Sequence, residues 1–123
     1  MLFGNELIRV KKYALAKDET KKILVRYGSV QKLFTFRWTL FQNDMLVVFS
    51  DYDENVSQHM LAQDQHQHKA FRVMLKPKGA YEMQVPYMLV KFAKFDFAKN
   101  KAIFEIWLYD KRQEVYLKYL KQK

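Results

Sequence analysis

The sequence predicts a mainly β, antiparallel fold, either a sandwich or a partly open barrel of five to seven strands. Three observations carry that expectation. Aromatic residues make up 16% of the 123-residue chain, as ten Phe, eight Tyr and two Trp, and such side chains pack well on a pleated surface. Several segments alternate apolar and polar residues with period two, which places successive side chains on opposite faces of a strand. With only three Gly and two Pro, the turns between those segments fall to Asn, Asp and Lys. The alternative architecture is α+β, with terminal helices on a central antiparallel sheet.

In chain order, residues 7–16 and 21–27 read as two strands turning at Asp18-Glu19-Thr20, or Asp18 caps a short helix ended by Gly28. From Val30 the pattern is sharper. Phe34, Phe36, Trp38 and Leu40 alternate with Thr35, Arg37 and Thr39, so the first set shares one face of a strand. Gln42-Asn43-Asp44 turns the chain into Met45-Leu46-Val47-Val48-Phe49, which completes a hairpin.

The stretch from Asp51 to His68 differs from its surroundings. It has four acidic residues, no Lys or Arg, and all three histidines of the chain. With only a weak apolar stripe (Val56, Met60, Ala62), it predicts a short helix or a loop near 54–66. A strand follows over 69–76, with Phe71, Val73 and Leu75 on one side, ending at Pro77-Lys78-Gly79. Residues 87–97 carry two parities: Met88, Val90 and Phe92, then Ala93, Phe95 and Phe97. One inserted residue reverses the facing of a strand, so a bulge is expected there. Ala98-Lys99-Asn100-Lys101 turns into 102–109, where Ala102, Phe104, Ile106 and Leu108 alternate with Ile103, Glu105, Trp107 and Tyr109. The segment 114–120 suits a strand by propensity and a helix by spacing. With no internal repeat or flexible linker, residues 1–123 are expected to form a single β-rich domain.

The residue inventory excludes much chemistry. Without cysteine there are no disulfides, thiolate metal sites or cysteine nucleophiles. Three scattered glycines cannot build a phosphate-binding loop or a dinucleotide fingerprint. Ser29, Ser50 and Ser57 lie outside any Gly-x-Ser-x-Gly elbow, and Ser57 with His59 is too close in sequence to be read as a catalytic pair. The calcium-loop start at Asp51-Tyr52-Asp53 fails at Val56 and Ala62, where Gly and Glu are required. No catalytic residue and no cofactor is expected. His59, His66 and His68, beside several carboxylates, have the ligand chemistry of a metal site without a known spacing; a solvated, Gln-rich loop explains them as well.

A net charge of +9 attracts polyanions or acidic proteins. The segment 91–101 interleaves Phe92 and Phe95 with Lys91, Lys94, Lys99 and Lys101, and Arg37, Arg72 and Lys76 fall on neighbouring strands that could extend the same face. That is the composition of a sheet that stacks single-stranded bases and neutralises phosphates, unless the rings belong to the core. Tyr81, Met83, Tyr87 and Met88 form a second candidate surface, for a protein partner. The expectation is a non-catalytic binding or assembly module engaging an acidic protein partner, with single-stranded nucleic-acid binding through 91–101 as the alternative. No apolar run is long enough for a transmembrane helix, and the N-terminus lacks a secretory pattern, so a cytoplasmic setting is expected.

Overall fold

The described residues form nine strands: β1 Leu7–Leu15, β2 Lys21–Tyr27, β3 Val30–Gln42, β4 Met45–Tyr52, β5 Asn55–Ala62, β6 Ala70–Met74, β7 Tyr87–Asp96, β8 Lys101–Tyr109 and β9 Val115–Leu120. The computed structural model describes residues 7–27, 29–63, 68–75, 86–110 and 115–120. All pairings are antiparallel, in a four-stranded sheet of order β1-β8-β7-β6 and a five-stranded sheet of order β5-β4-β3-β2-β9. The chain enters through the smaller sheet, builds β2 to β5 as a meander, returns for β6 to β8, and ends beside β2. The sheets pack face to face as a sandwich and do not close into a barrel.

Turn chemistry explains how so few glycines suffice. Asn43-Asp44 (φ 54° and 63°) and Asp53-Glu54 (φ 53° and 67°) are two-residue hairpin turns with both residues left-handed. That geometry matches the right-handed twist of the strands, and the short polar side chains of Asn and Asp tolerate it. Asn100, at φ 54°, does the same before β8.

The core lies between the inward faces. β3 supplies Phe34, Phe36 and Trp38, β7 supplies Met88, Val90, Phe92 and Phe95, and β8 supplies Ala102, Phe104 and Ile106. Rings meet across the two sheets: Phe36 on Phe104 at 5.2 Å and Trp38 on Phe95 at 5.6 Å, both edge-on. Buried polar groups are tied across the sheets as well. Trp38 Nε1 donates to the Leu15 carbonyl at 2.7 Å, and the Tyr27 and Tyr52 hydroxyls both donate to the Leu75 carbonyl, at 2.9 and 3.2 Å.

The bulge expected in 87–97 is present between Phe92 and Lys94. It carries Phe95 inward after Phe92, and the Lys69 ammonium donates to the Ala93 carbonyl beside it at 3.1 Å. Several expectations need correction. Residues 55–62 are a strand, not a helix or loop, and the described residues form nine strands rather than five to seven. Residues 7–15, 21–27 and 115–120 are strands, so the terminal-helix alternative fails. Leu40 does not join Trp38 in the core: a bulge between Trp38 and Leu40 reverses the facing, leaving Leu40 47% exposed while Phe41 packs inward. Phe97 lies beyond the end of β7 and is 70% exposed.

Candidate binding surfaces

The outward face of the four-stranded sheet carries a contiguous arrangement of aromatic and charged side chains. Cross-strand register aligns Trp107, Leu89 and Arg72 in one row across β8, β7 and β6, with Tyr109, Tyr87 and Met74 in the next. A third row, Lys12, Glu105, Lys91 and Ala70, alternates charge across the sheet. These positions are outward because strand parity assigns Met88, Val90, Phe104 and Ile106 to the core. The Tyr87 and Tyr109 rings stack at 5.0 Å with 17° between planes, and the Arg72 guanidinium lies 4.2 Å from the Tyr87 ring centre. Since Tyr109 and Arg72 stand on the strands flanking β7, both sides of the Tyr87 ring are occupied. The ladder therefore presents ring edges, hydroxyls and a cation rather than open ring faces. Trp107 Nε1 donates to Glu105 Oε1 at 3.2 Å, which fixes the indole on this surface.

A second site lies where β5 and β6 border the mouth of the sandwich. A cavity of about 220 Å³ there is lined by Ser50 and Tyr52 of β4, Asn55, Ser57 and His59 of β5, and Arg72 through Leu75, with Lys32 and Asp53 at its rim. The inward side of β5 is polar over Asn55, Ser57 and His59, so the apolar core stops short of this edge. Ser50 continues the inward parity of Leu46 and Val48, and its Oγ is 3.0 Å from His59 Nε2. The His59 ring lies flat on Phe71 at 3.7 Å, and burial holds its pKa below the usual 6.5. At the rim Lys32 Nζ bonds Asp53 Oδ2 at 2.7 Å, and that bond raises the lysine pKa. Burial, reinforced by the neighbouring Tyr27, pushes the Tyr52 phenol up.

A serine hydroxyl beside a neutral imidazole is the opening arrangement of nucleophilic catalysis, which needs a third group to orient the base. Among the described residues no such partner bonds the other nitrogen of His59, and stacking on Phe71 fixes the ring as a packing element. The contact satisfies the buried Ser50 hydroxyl.

The residues singled out in the sequence are distributed as follows. Phe92 and Phe95 are core residues, 0% and 8% exposed, and offer no face to a base. Arg37 and Arg72 do not share a face. Arg37 is outward on the five-stranded sheet, paired with Asp18 at 3.1 Å, whereas Arg72 is outward on the four-stranded one; the strands carrying them belong to different sheets. Lys91 and Lys94 are outward on β7, Lys99 sits in the turn after it, and Lys101 opens β8. Of the partner-binding set, Tyr87 is on the outward ladder, while Met88 is fully buried by the opposite parity. Tyr81, Met83, Lys76 and His66 lie outside the described residues. His59 faces the cavity and His68 is exposed, and no group of three or more His, Asp or Glu placed to hold a metal ion occurs among the described residues. Sequence reading missed Trp107, Tyr109 and Leu89, although the alternation in 87–109 contained them: the parity opposite the core is itself aromatic.

The fold and these surfaces define a two-sheet antiparallel β protein with an aromatic–cationic outer face. No protein-family model matches the chain, and no curated protein sequence or solved structure matches it significantly. Among the described residues no helix is long and apolar enough to cross a membrane.

Proposed function

We propose that the chain is a non-catalytic binding module that engages an acidic protein partner through the outward face of the four-stranded sheet. The observation that carries this reading is the Tyr109–Tyr87–Arg72 ladder, flanked by Trp107. Tyr, Trp and Arg are the residues that dominate binding energy at protein interfaces, because they bury large area and keep a polar handle. Here they are preordered by stacking, which lowers the entropy lost on association. The net charge of +9 favours encounter with an acidic surface.

The test is titration with poly-glutamate and with acidic Tyr-containing peptides, followed by Trp107 fluorescence across a salt series. Binding should persist at about 0.15 M salt, where exposed charges are screened beyond about 8 Å, and weaken about tenfold or more in Tyr87→Ala, as loss of a hot-spot residue does. Equal affinity in Tyr87→Ala, or binding that vanishes at that salt, rejects the reading.

One observation favours the nucleic-acid alternative: Phe97 is 70% exposed, and Lys94, Lys99 and Lys101 lie close to it in sequence. A single ring stacks about one base, at about 1–3 kcal/mol. Anisotropy with labelled single-stranded DNA and RNA, compared between the natural chain and Phe97→Ala, separates specific stacking from salt-sensitive attraction to a basic surface.

A further inference from the structure

Four strands form the edges of the two sheets among the described residues: β1, β6, β5 and β9. An edge strand presents unpaired N–H and C=O groups, and folded proteins guard such edges with charge, proline, bulges or short length. β1 carries Arg9, Lys11, Lys12 and a bulge. β6 has five residues with Arg72 at its centre, and β9 contains Lys118. β5 is different. Its eight residues, Asn55 through Ala62, include no Lys, Arg, Asp, Glu, Pro or Gly, and its register with β4 is unbroken. In a chain with 28% charged residues, this edge carries no such guard among the described residues.

The two faces of that edge have distinct chemistry. On the outer side Val56 and Met60 are 71% and 58% exposed. On the inner side Asn55 and Ser57 border the cavity, across which stands Arg72. Antiparallel pairing with β4 turns the N–H and C=O groups of about half the residues of β5 to the free side. We infer that β5 is a strand-addition site for an extended partner peptide that alternates acidic and apolar residues. The peptide backbone continues the ladder, its apolar side chains cover Val56 and Met60, and its carboxylates enter the cavity toward Arg72. Strand addition takes affinity from main-chain bonds and specificity from alternate side chains, and both are provided here. A second copy of the chain fits less well. Pairing β5 with β5 brings two molecules of net charge +9 together and supplies no carboxylate to Arg72.

The inference is separate from the outer-face reading, and its test uses side chains outside the tyrosine ladder. The probe is a fluorescein-labelled peptide of about ten residues, long enough for one strand, alternating Glu and Val. Anisotropy should saturate, and amide exchange at residues 55–62 should slow on binding. N-methylation of alternate peptide nitrogens, which leaves the protein untouched, should abolish binding. Val56→Glu with Met60→Glu, both at exposed positions, should weaken binding at least about tenfold. Tyr87→Ala, which frees the Arg72 guanidinium from its ring partner, should not weaken it. The inference is overturned if the N-methylated or a Lys–Val peptide binds equally, if residues 55–62 gain no protection, or if no saturation occurs by about 1 mM. A dimer of the chain alone in sedimentation, lost in the double Glu variant, would replace it with self-pairing.

Discussion

One tryptophan lies in the core between the sheets and the other on the outward face of the four-stranded sheet, so the same substitution at each should have very different consequences. Trp38 is buried, donates Nε1 to the buried Leu15 carbonyl at 2.7 Å and meets Phe95 edge-on. Trp38→Phe removes the donor and leaves a buried acceptor unsatisfied, which costs about 1–3 kcal/mol. The smaller ring adds a void costing of the order of 1–2 kcal/mol. A total near 3 kcal/mol shifts a urea midpoint by about 1.5 M, taking a slope of about 2 kcal/mol per M. Trp107 is partly buried on the outward face, where it bonds Glu105 at 3.2 Å. Water replaces that donor in Trp107→Phe, so the cost should stay below about 1 kcal/mol and the midpoint within about 0.5 M. Urea unfolding followed by circular dichroism reads both variants without relying on either indole. Equal shifts, or a Trp38→Phe midpoint within about 0.5 M of the parent, would refute the assignment of inner and outer faces. The pair also has a practical use: Trp107→Phe alters the proposed interface in a molecule whose fold is intact.

Other expectations follow from the same structure. Burial favours the neutral form of His59 and lowers its pKa from 6.5, so the stability it confers is complete above that value and is lost as pH falls below it. Between about pH 7 and pH 5 the parent should lose stability faster than His59→Gln, by no more than about 1.4 kcal/mol per pH unit; parallel curves would refute this. Glu54 sits left-handed at φ 67°, a conformation costing a non-glycine residue about 1–2 kcal/mol. Allowing for the entropy glycine loses on folding, Glu54→Gly should gain about 0.5–1 kcal/mol and raise Tm by about 2–6 °C, and a lower Tm would count against the strain. Lys69 Nζ bonds the Gln63 and Ala93 carbonyls at 2.7 and 3.1 Å. Lys69→Met, which keeps the stem, should cost about 1.5–3 kcal/mol, the range for charge-assisted bonds, in chemical unfolding.

Where one face of a strand is apolar and the other polar, the sequence shows the strand plainly. Phe34, Phe36 and Trp38 against Thr35 and Arg37 reveal β3, and the parity change after Phe92 reveals the β7 bulge. β5 was hidden for a physical reason. As an edge strand beside a polar cavity it puts Asn55, Ser57 and His59 on its inward side, so the apolar alternation that marks a strand is missing. The Trp38–Leu40 bulge was hidden because Leu40 and Phe41 are both apolar, and either parity satisfies the pattern. The same ambiguity affects β7 and β8. Both of their faces carry aromatics, and sequence alone could not decide whether Phe92 and Phe95 or Tyr87 and Trp107 faced water. Only pairing register makes that choice, and it moved the candidate surface to the opposite parity of the same strands.

The bulges also account for where the binding features lie. One interrupts β3 after Trp38 and the other β7 after Phe92. Each turns an additional aromatic inward, and the two rings, Phe41 and Phe95, stack at 4.4 Å with 7° between planes. Either bulge alone would leave one of these rings without its partner, so the two bulges support each other across the sheets. They seal that end of the sandwich with hydrocarbon. At the other end β3 and β4 reach Phe34 and Tyr52, and closure depends on two tyrosine hydroxyls donating to the Leu75 carbonyl. Polar closure leaves room for the cavity beside β5, and the ladder of Tyr109, Tyr87 and Met74 lies at this same end of the smaller sheet. Arg72 links the two features, lining the cavity while covering Tyr87. An acidic segment laid along β5 would therefore compete with Tyr87 for the same guanidinium. Occupation of the β5 edge should loosen the tyrosine ladder, seen as faster ring flips of Tyr87 by NMR when the Glu–Val peptide binds. Unchanged Tyr87 dynamics in the saturated complex would show that the two surfaces act independently.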